Sequence, residues 1–145
     1  MALNLQKSVK QPYRVVLSMD QALAEESDYS KYIQEGYQED HLKFTEGEEP
    51  TRFRMRPLTN KMRCFIDAFP EGHAQKLAAI RCSLLSIENA GELPQPSMEF
   101  NQAIGADIIK MQWIEDHFSL PSAYINELAE HIAIVTDVTP FLSKA

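Results

Sequence analysis

From Arg52 to Arg56 the chain reads RFRMR, with arginine alternating with Phe53 and Met55. Successive side chains of a strand point to opposite faces, so this pattern predicts a strand with one apolar and one cationic face. Leu42 and Phe44 alternate with polar neighbours in the same way. Between the two runs lies Thr45-Glu46-Gly47-Glu48-Glu49-Pro50, which holds a glycine able to take positive φ and a proline that bars helix just before it. Residues 42–58 therefore predict a β-hairpin that feeds into a helix, with Thr59 as the N-cap before Asn60.

The hairpin is electrically split. Glu46, Glu48 and Glu49 lie at its tip, and Arg52, Arg54 and Arg56 lie on one face of its second strand. Three alternating arginines can read a polyanion, pair with acids on a neighbouring strand, or keep an exposed face wet. The wider charge pattern decides among these. Residues 20–49 carry ten acids against Lys31 and Lys43, whereas residues 52–81 carry seven basic side chains against Asp67 and Glu71. With a net charge of −7, general phosphate binding is disfavoured and no nucleic-acid partner is expected. The arginine face reads better as a protein-facing or intrachain pairing surface. Opposed halves of this kind also suit head-to-tail stacking, so a homo-oligomer is compatible with the sequence.

At 145 residues and 44% hydrophobic content the chain suits one domain, residues 1–145, with a real core. It has no apolar run of about 18 residues, so no membrane span is expected. The start, MALNLQKSVKQPYRVV, lacks an uninterrupted apolar region, so it does not read as a secretory signal and the chain is expected in the cytoplasm. Residues 1–11 read as a polar arm. Cys64 and Cys82 fall inside apolar helical patterns without paired spacing and read as buried, inert thiols.

Tyr13 to Leu17 is β-rich and suits a strand added to the hairpin. Tyr29, Tyr32 and Ile33 share helical spacing, predicting a helix over residues 28–35 capped by Ser27 and ended by Gly36. With Tyr37, these tyrosines are candidate anchors for a basic protein partner among the acids. Met62, Phe65, Ile66 and Phe69 predict a helix over 60–69, and Leu77, Ile80, Leu84, Leu85 and Ile87 another over 73–89. Residues 89–96 hold a glycine and two prolines and predict a loop. Phe100, Ile104, Ile108 and Met111 recur at helical spacing, predicting a long helix over 98–118 with Ser97 as its cap and Gly105 inside it. Pro121 suits the first turn of a last helix over 122–136, stopped by Thr139-Pro140, with Phe141 and Leu142 packing back on the core. The fold class is α+β: a small antiparallel sheet with a β-hairpin packed on a bundle of about four helices.

No chemistry stands out. His41, His73, His117 and His131 form neither HxxxH nor HExxH. Glu-Asp-His occurs at residues 39–41 and 115–117, and two such clusters converging on a metal would be needed for a metal enzyme. No phosphate loop, GxGxxG or GxSxG is present, and five glycines are few for a phosphate-cradling enzyme. The reading is a non-enzymatic protein without a cofactor.

Residues 27–58, SDYSKYIQEGYQEDHLKFTEGEEPTRFRMRPL, and residues 120–132, LPSAYINELAEHI, resemble a class of small bacteriophage proteins. The order of a strand pair followed by helices also resembles tail assembly chaperones. The resemblance implies a viral protein acting by protein–protein binding in tail assembly, or a structural component of the virion. Its partners would be other phage structural proteins, such as tail or tape-measure components, met in the host cytoplasm or in the particle. No active-site residue carries over. The alternative is a phage-encoded acidic inhibitor of a host defence system that mimics nucleic acid.

Overall fold

The computed structural model describes residues 12–142, with side chains through residue 137. The expected polar arm, residues 1–11, and the side chains of Phe141 and Leu142 lie outside the described residues. Five α-helices and two small antiparallel sheets make a small α+β fold among the described residues.

The first sheet has the order β1-β2-β3, with β1 Tyr13–Val15, β2 Arg52–Met55 and β3 Leu84–Glu88. The alternation that predicts β2 holds: Phe53 and Met55 are buried and Arg52 and Arg54 face outward. The predicted hairpin does not form. Residues 42–44 join no sheet; Phe44 makes one isolated bridge to Leu23, and β2 pairs with β1 and β3 instead. Alternation marks a half-buried strand but says nothing about its partner, and β2 finds both of its neighbours far away in sequence. The turn signal itself is real, since Gly47 has φ of 82° and the Glu48 amide donates to the Thr45 carbonyl.

Helix α1 is Tyr29–Gln34, capped by Asp28 rather than Ser27: the Asp28 carboxylate accepts from the Lys31 amide at 3.1 Å. Helix α2, Asn60–Asp67, begins as expected, with Thr59 Oγ1 accepting from the Met62 amide at 3.2 Å. Helix α3, His73–Ser83, stops earlier than the apolar spacing suggests, because the next five residues turn into β3 and fill the free edge of β2. The outer edge of β3 is closed by Gln95, whose side-chain oxygen accepts from the Ile87 amide at 2.9 Å and whose side-chain amide donates to the Ile87 carbonyl.

The long helix expected over 98–118 is replaced by a β-hairpin and a short helix. Strands β4, Met98–Asn101, and β5, Ala106–Ile109, form the second sheet, and α4 is Met111–His117. A spacing of four residues is in phase with a helix and also with the two-residue period of a strand, so Phe100, Ile104 and Ile108 satisfy both. Gly105 resolves the choice: it sits in the turn at φ of 76°, and its amide donates to the Asn101 carbonyl at 2.8 Å. Ile108 packs with Met62, Cys82 and Ile104 in a second core, while Phe100, on the other face of the ribbon, is 63% exposed. The last helix, α5, is Ser122–Leu142, and it runs past Pro140 instead of stopping before it.

The main core joins the inner face of the first sheet (Val15, Phe53, Met55, Ile87) to Ile125, Leu128, Ile132 and Val135 of α5. Tyr32, Tyr37 and Leu42 complete it from the acidic segment. Each such side chain taken out of water contributes roughly 1.5–3 kcal/mol before chain entropy is set against it.

Candidate functional site

The three candidate tyrosines are brought together, but inside the fold. Tyr32 is fully buried and Tyr37 nearly so; Tyr29 is half-buried. Their hydroxyls run along a line of polar groups that joins the acidic segment to β1 and α5. The Tyr32 hydroxyl donates to the Arg14 carbonyl at 2.9 Å and accepts from the Val16 amide at 3.0 Å. The Tyr29 hydroxyl lies 2.7 Å from the Val16 carbonyl, 3.1 Å from Glu127 Oε2 and 2.9 Å from His131 Nε2. The Tyr37 hydroxyl lies 2.9 Å from His131 Nδ1.

His131, 2% exposed, is the hub. It sits one turn after Glu127 on α5, and its Nε2 is 3.0 Å from Glu127 Oε2. Ser18 supplies the rest of the carboxylate's shell: its amide donates to Oε2 at 2.6 Å and its hydroxyl to Oε1. A consistent assignment of protons follows. Tyr29 donates to Val16, His131 donates from Nε2 to Glu127, and Tyr37 donates to Nδ1, so every proton has an acceptor. Burial alone would raise the Glu127 carboxyl, but the hydrogen bonds from Ser18 and His131 outweigh it and hold the group below the usual carboxylate range. Burial pushes the Tyr29, Tyr32 and Tyr37 phenols upward, so all three stay neutral donors.

The geometry of Tyr37 is unusual. It follows Gly36, and both residues take positive φ, 65° for Tyr37 and 78° for Gly36. Left-handed backbone costs a bulky residue roughly 1–2 kcal/mol, and here it turns the ring inward to meet His131. Helical spacing could place Tyr29 beside Tyr32, but no local signal links either to residues near position 130.

Beside the network an open pocket of about 360 Å3 is lined by Ser18, Tyr29, Ile33, Glu127, Glu130 and His131 among others. It does not assemble a nucleophile: Ser18 bonds to Glu127, while both ring nitrogens of His131 are held by other groups. Among the described residues, no three histidine, cysteine or acidic side chains are grouped to hold a metal ion. In the Glu39–Asp40–His41 cluster, a 3-10 turn, Glu39 is taken by Arg52.

The candidate arginines do not act as a set. Arg52 is clamped by Glu39 through two bonds of 2.8 and 3.0 Å, with Glu49 at 3.5 Å. Arg54 donates to Ser86 Oγ at 3.1 Å and lies directly across from Arg14, which itself reaches Glu88 at 2.8 Å. Arg56 turns away, donating to the Cys82 carbonyl at 2.9 Å and to the Asp107 carbonyl, and burial lowers its guanidinium below its ordinary value. Cys64 is exposed on α2, contrary to the expectation for both thiols, while Cys82 is buried. Among the described residues, no helix is long and apolar enough to cross a membrane.

Comparison with protein-family models, with curated proteins and with solved structures found no match to the chain.

Proposed function

We propose that this chain is a non-enzymatic bacteriophage protein that works by binding other proteins, in tail assembly or as a structural component of the virion. One observation carries the binding mode. Eight of the ten acids in residues 20–49 are exposed; the exceptions are Asp20, which accepts from the Thr51 amide, and Glu39, which holds Arg52. The tyrosines between them turn inward, so the segment presents a cover of carboxylates suited to a basic protein surface. The phage setting rests on the resemblance of residues 27–58 and 120–132 to small phage proteins. Phe100, exposed on the β4–β5 ribbon, offers an edge strand with an apolar contact and is a second place for a partner strand to add.

Mass spectrometry of mature particles, with affinity purification from infected cells, tests this reading. It expects the chain in the virion or together with a tail component; absence from both would sink it. The same acidic cover also favours the second reading, an acidic inhibitor of host defence. A deletion that leaves particles intact but makes the phage sensitive on defended hosts would select that one.

A further inference from the structure

The two sheets leave four strand edges, those of β1, β3, β4 and β5. Three of the four are closed by side chains bonded to the backbone groups that point outward. On β1 the Tyr32 hydroxyl bridges the Arg14 carbonyl and the Val16 amide. On β3 the Gln95 side chain holds both backbone groups of Ile87. On β5 the Asp107 and Ile109 carbonyls accept from Arg56 and Arg81. An unpaired edge is a template for another chain, and bonds of this kind blunt it.

Strand β4 is the exception. The Lys110 amide donates to the Ser97 carbonyl, which sets the phase of the ribbon. With Met98 opposite Ile109 and Phe100 opposite Asp107, the backbone groups of Glu99 and Asn101 face β5, and those of Met98 and Phe100 face away. Among the described residues, no hydrogen bond closes this side of β4. The strand itself, MEFN, carries no lysine or proline to deter pairing. Phe100 is the most exposed of the large apolar side chains described. We infer that β4 pairs antiparallel with β4 of a second copy, with Phe100 opposite its own counterpart, to make a four-stranded sheet across a two-fold axis. The inference rests on the reading of this chain as one that works by binding proteins, and it names one partner.

The residue order selects this register. An axis at Glu99 sets two carboxylates directly against each other, which destabilises a cross-strand pair. An axis at Met98 brings Phe100 opposite Pro96, which has no N–H to give. An axis at Asn101 pairs Phe100 with Gln102 in the turn. The axis at Phe100 sets ring beside ring and Glu99 opposite Asn101 of the second copy. It also leaves each Asp107, which lies across from Phe100, on an outer strand. No acid then meets an acid directly, and the outward groups of both copies are satisfied at once. The net charge of −7 does not oppose the contact. The acidic segment is fastened to β1, at one edge of the first sheet, whereas the ribbon packs beside β3, at the other. Two copies joined at β4 keep their acidic covers apart.

A contact of this length is small, so the dimer is expected to be weak and reversible. Sedimentation equilibrium of the purified chain from about 10 μM to about 1 mM should show a monomer–dimer exchange. Phe100→Lys, at an exposed position, should raise the dissociation constant about tenfold or more while the Trp113 fluorescence of the folded chain is unchanged. The register is read by cross-linking in a Cys64→Ser background. Glu99→Cys and Asn101→Cys, mixed, stand about 4.5 Å apart between Cα atoms, within disulfide reach, whereas like positions lie diagonally at about 7–8 Å, beyond it. With oxidised glutathione the mixture should therefore form covalent dimers about tenfold faster than either variant alone. A chain that stays monomeric up to about 1 mM overturns the second copy as the occupant and leaves the edge to a foreign strand. A dimer indifferent to Phe100→Lys, or single variants that cross-link as fast as the mixture, also overturns it. None of these results bears on the presence of the chain in virions or with a tail component, so the two readings fail separately.

Discussion

Tyr37 and His131, 94 residues apart in sequence, meet hydroxyl to Nδ1 at 2.9 Å in the buried interior. The contact ties the acidic segment to the last helix. It is reached only because Tyr37 takes a left-handed backbone conformation directly after α1.

Removing this hydroxyl should cost more than the ring suggests. Tyr37→Phe keeps the edge-on packing against Tyr32 and His131 but leaves Nδ1 buried without its donor. An unmatched buried polar group costs roughly 1–3 kcal/mol, and a stability lowered by that amount, read as a lower urea midpoint with an unchanged slope, is expected.

The acid limb of the stability curve should belong in part to Glu127. Its carboxyl is held low in the folded state, so its contribution is complete above the unfolded value and is lost as pH falls through the folded value. Glu127→Gln should flatten that limb and destabilise the protein at neutral pH by about 1–3 kcal/mol, read from denaturation series at several pH values. An unchanged acid limb would assign it to other carboxylates.

Arg52 and Arg54, two residues apart on the same face, should respond differently to truncation. Arg52 is largely covered and holds Glu39 through a forked pair, so Arg52→Ala should cost about 1–3 kcal/mol. Arg54 contacts Ser86 and is partly exposed, so Arg54→Ala should stay within about 0.5 kcal/mol in thermal melts. Equal losses would mean that the sheet face acts as one charge network.

The two thiols should separate cleanly. Cys64 is exposed, whereas burial pushes the Cys82 thiol up to about 11. At mildly alkaline pH a thiol reagent should modify one cysteine quickly and the second only in denaturant. Two fast equivalents in the native protein would contradict the packing around Ile108.

Local patterns located much of the fold. The cap at Thr59, the alternation at Phe53 and Met55, the glycine turn at Gly47 and the start of α5 at Ser122 all lie where residue chemistry places them. Two of the failures had an ambiguous period. Residues 84–88 are a short apolar run and residues 98–109 carry an apolar spacing of four, both compatible with helix and strand alike, and they become strands because a sheet edge or a hairpin turn is there to receive them. Cys64 was misplaced for a related reason: a helical stripe is apolar on average, but which side chain faces the core depends on what packs against it.

The candidate site divides along the same line. The charge inversion near residue 50, the tyrosines among the acids and the arginine face of β2 can be read from the residues alone, because composition and period are local properties. That the tyrosines turn inward to His131 and that Arg52 is held by Glu39 emerges only in the folded chain, because both contacts join segments brought together by core packing. Hydrogen bonding is strong only where water is excluded, and the fold alone sets which polar groups share that space.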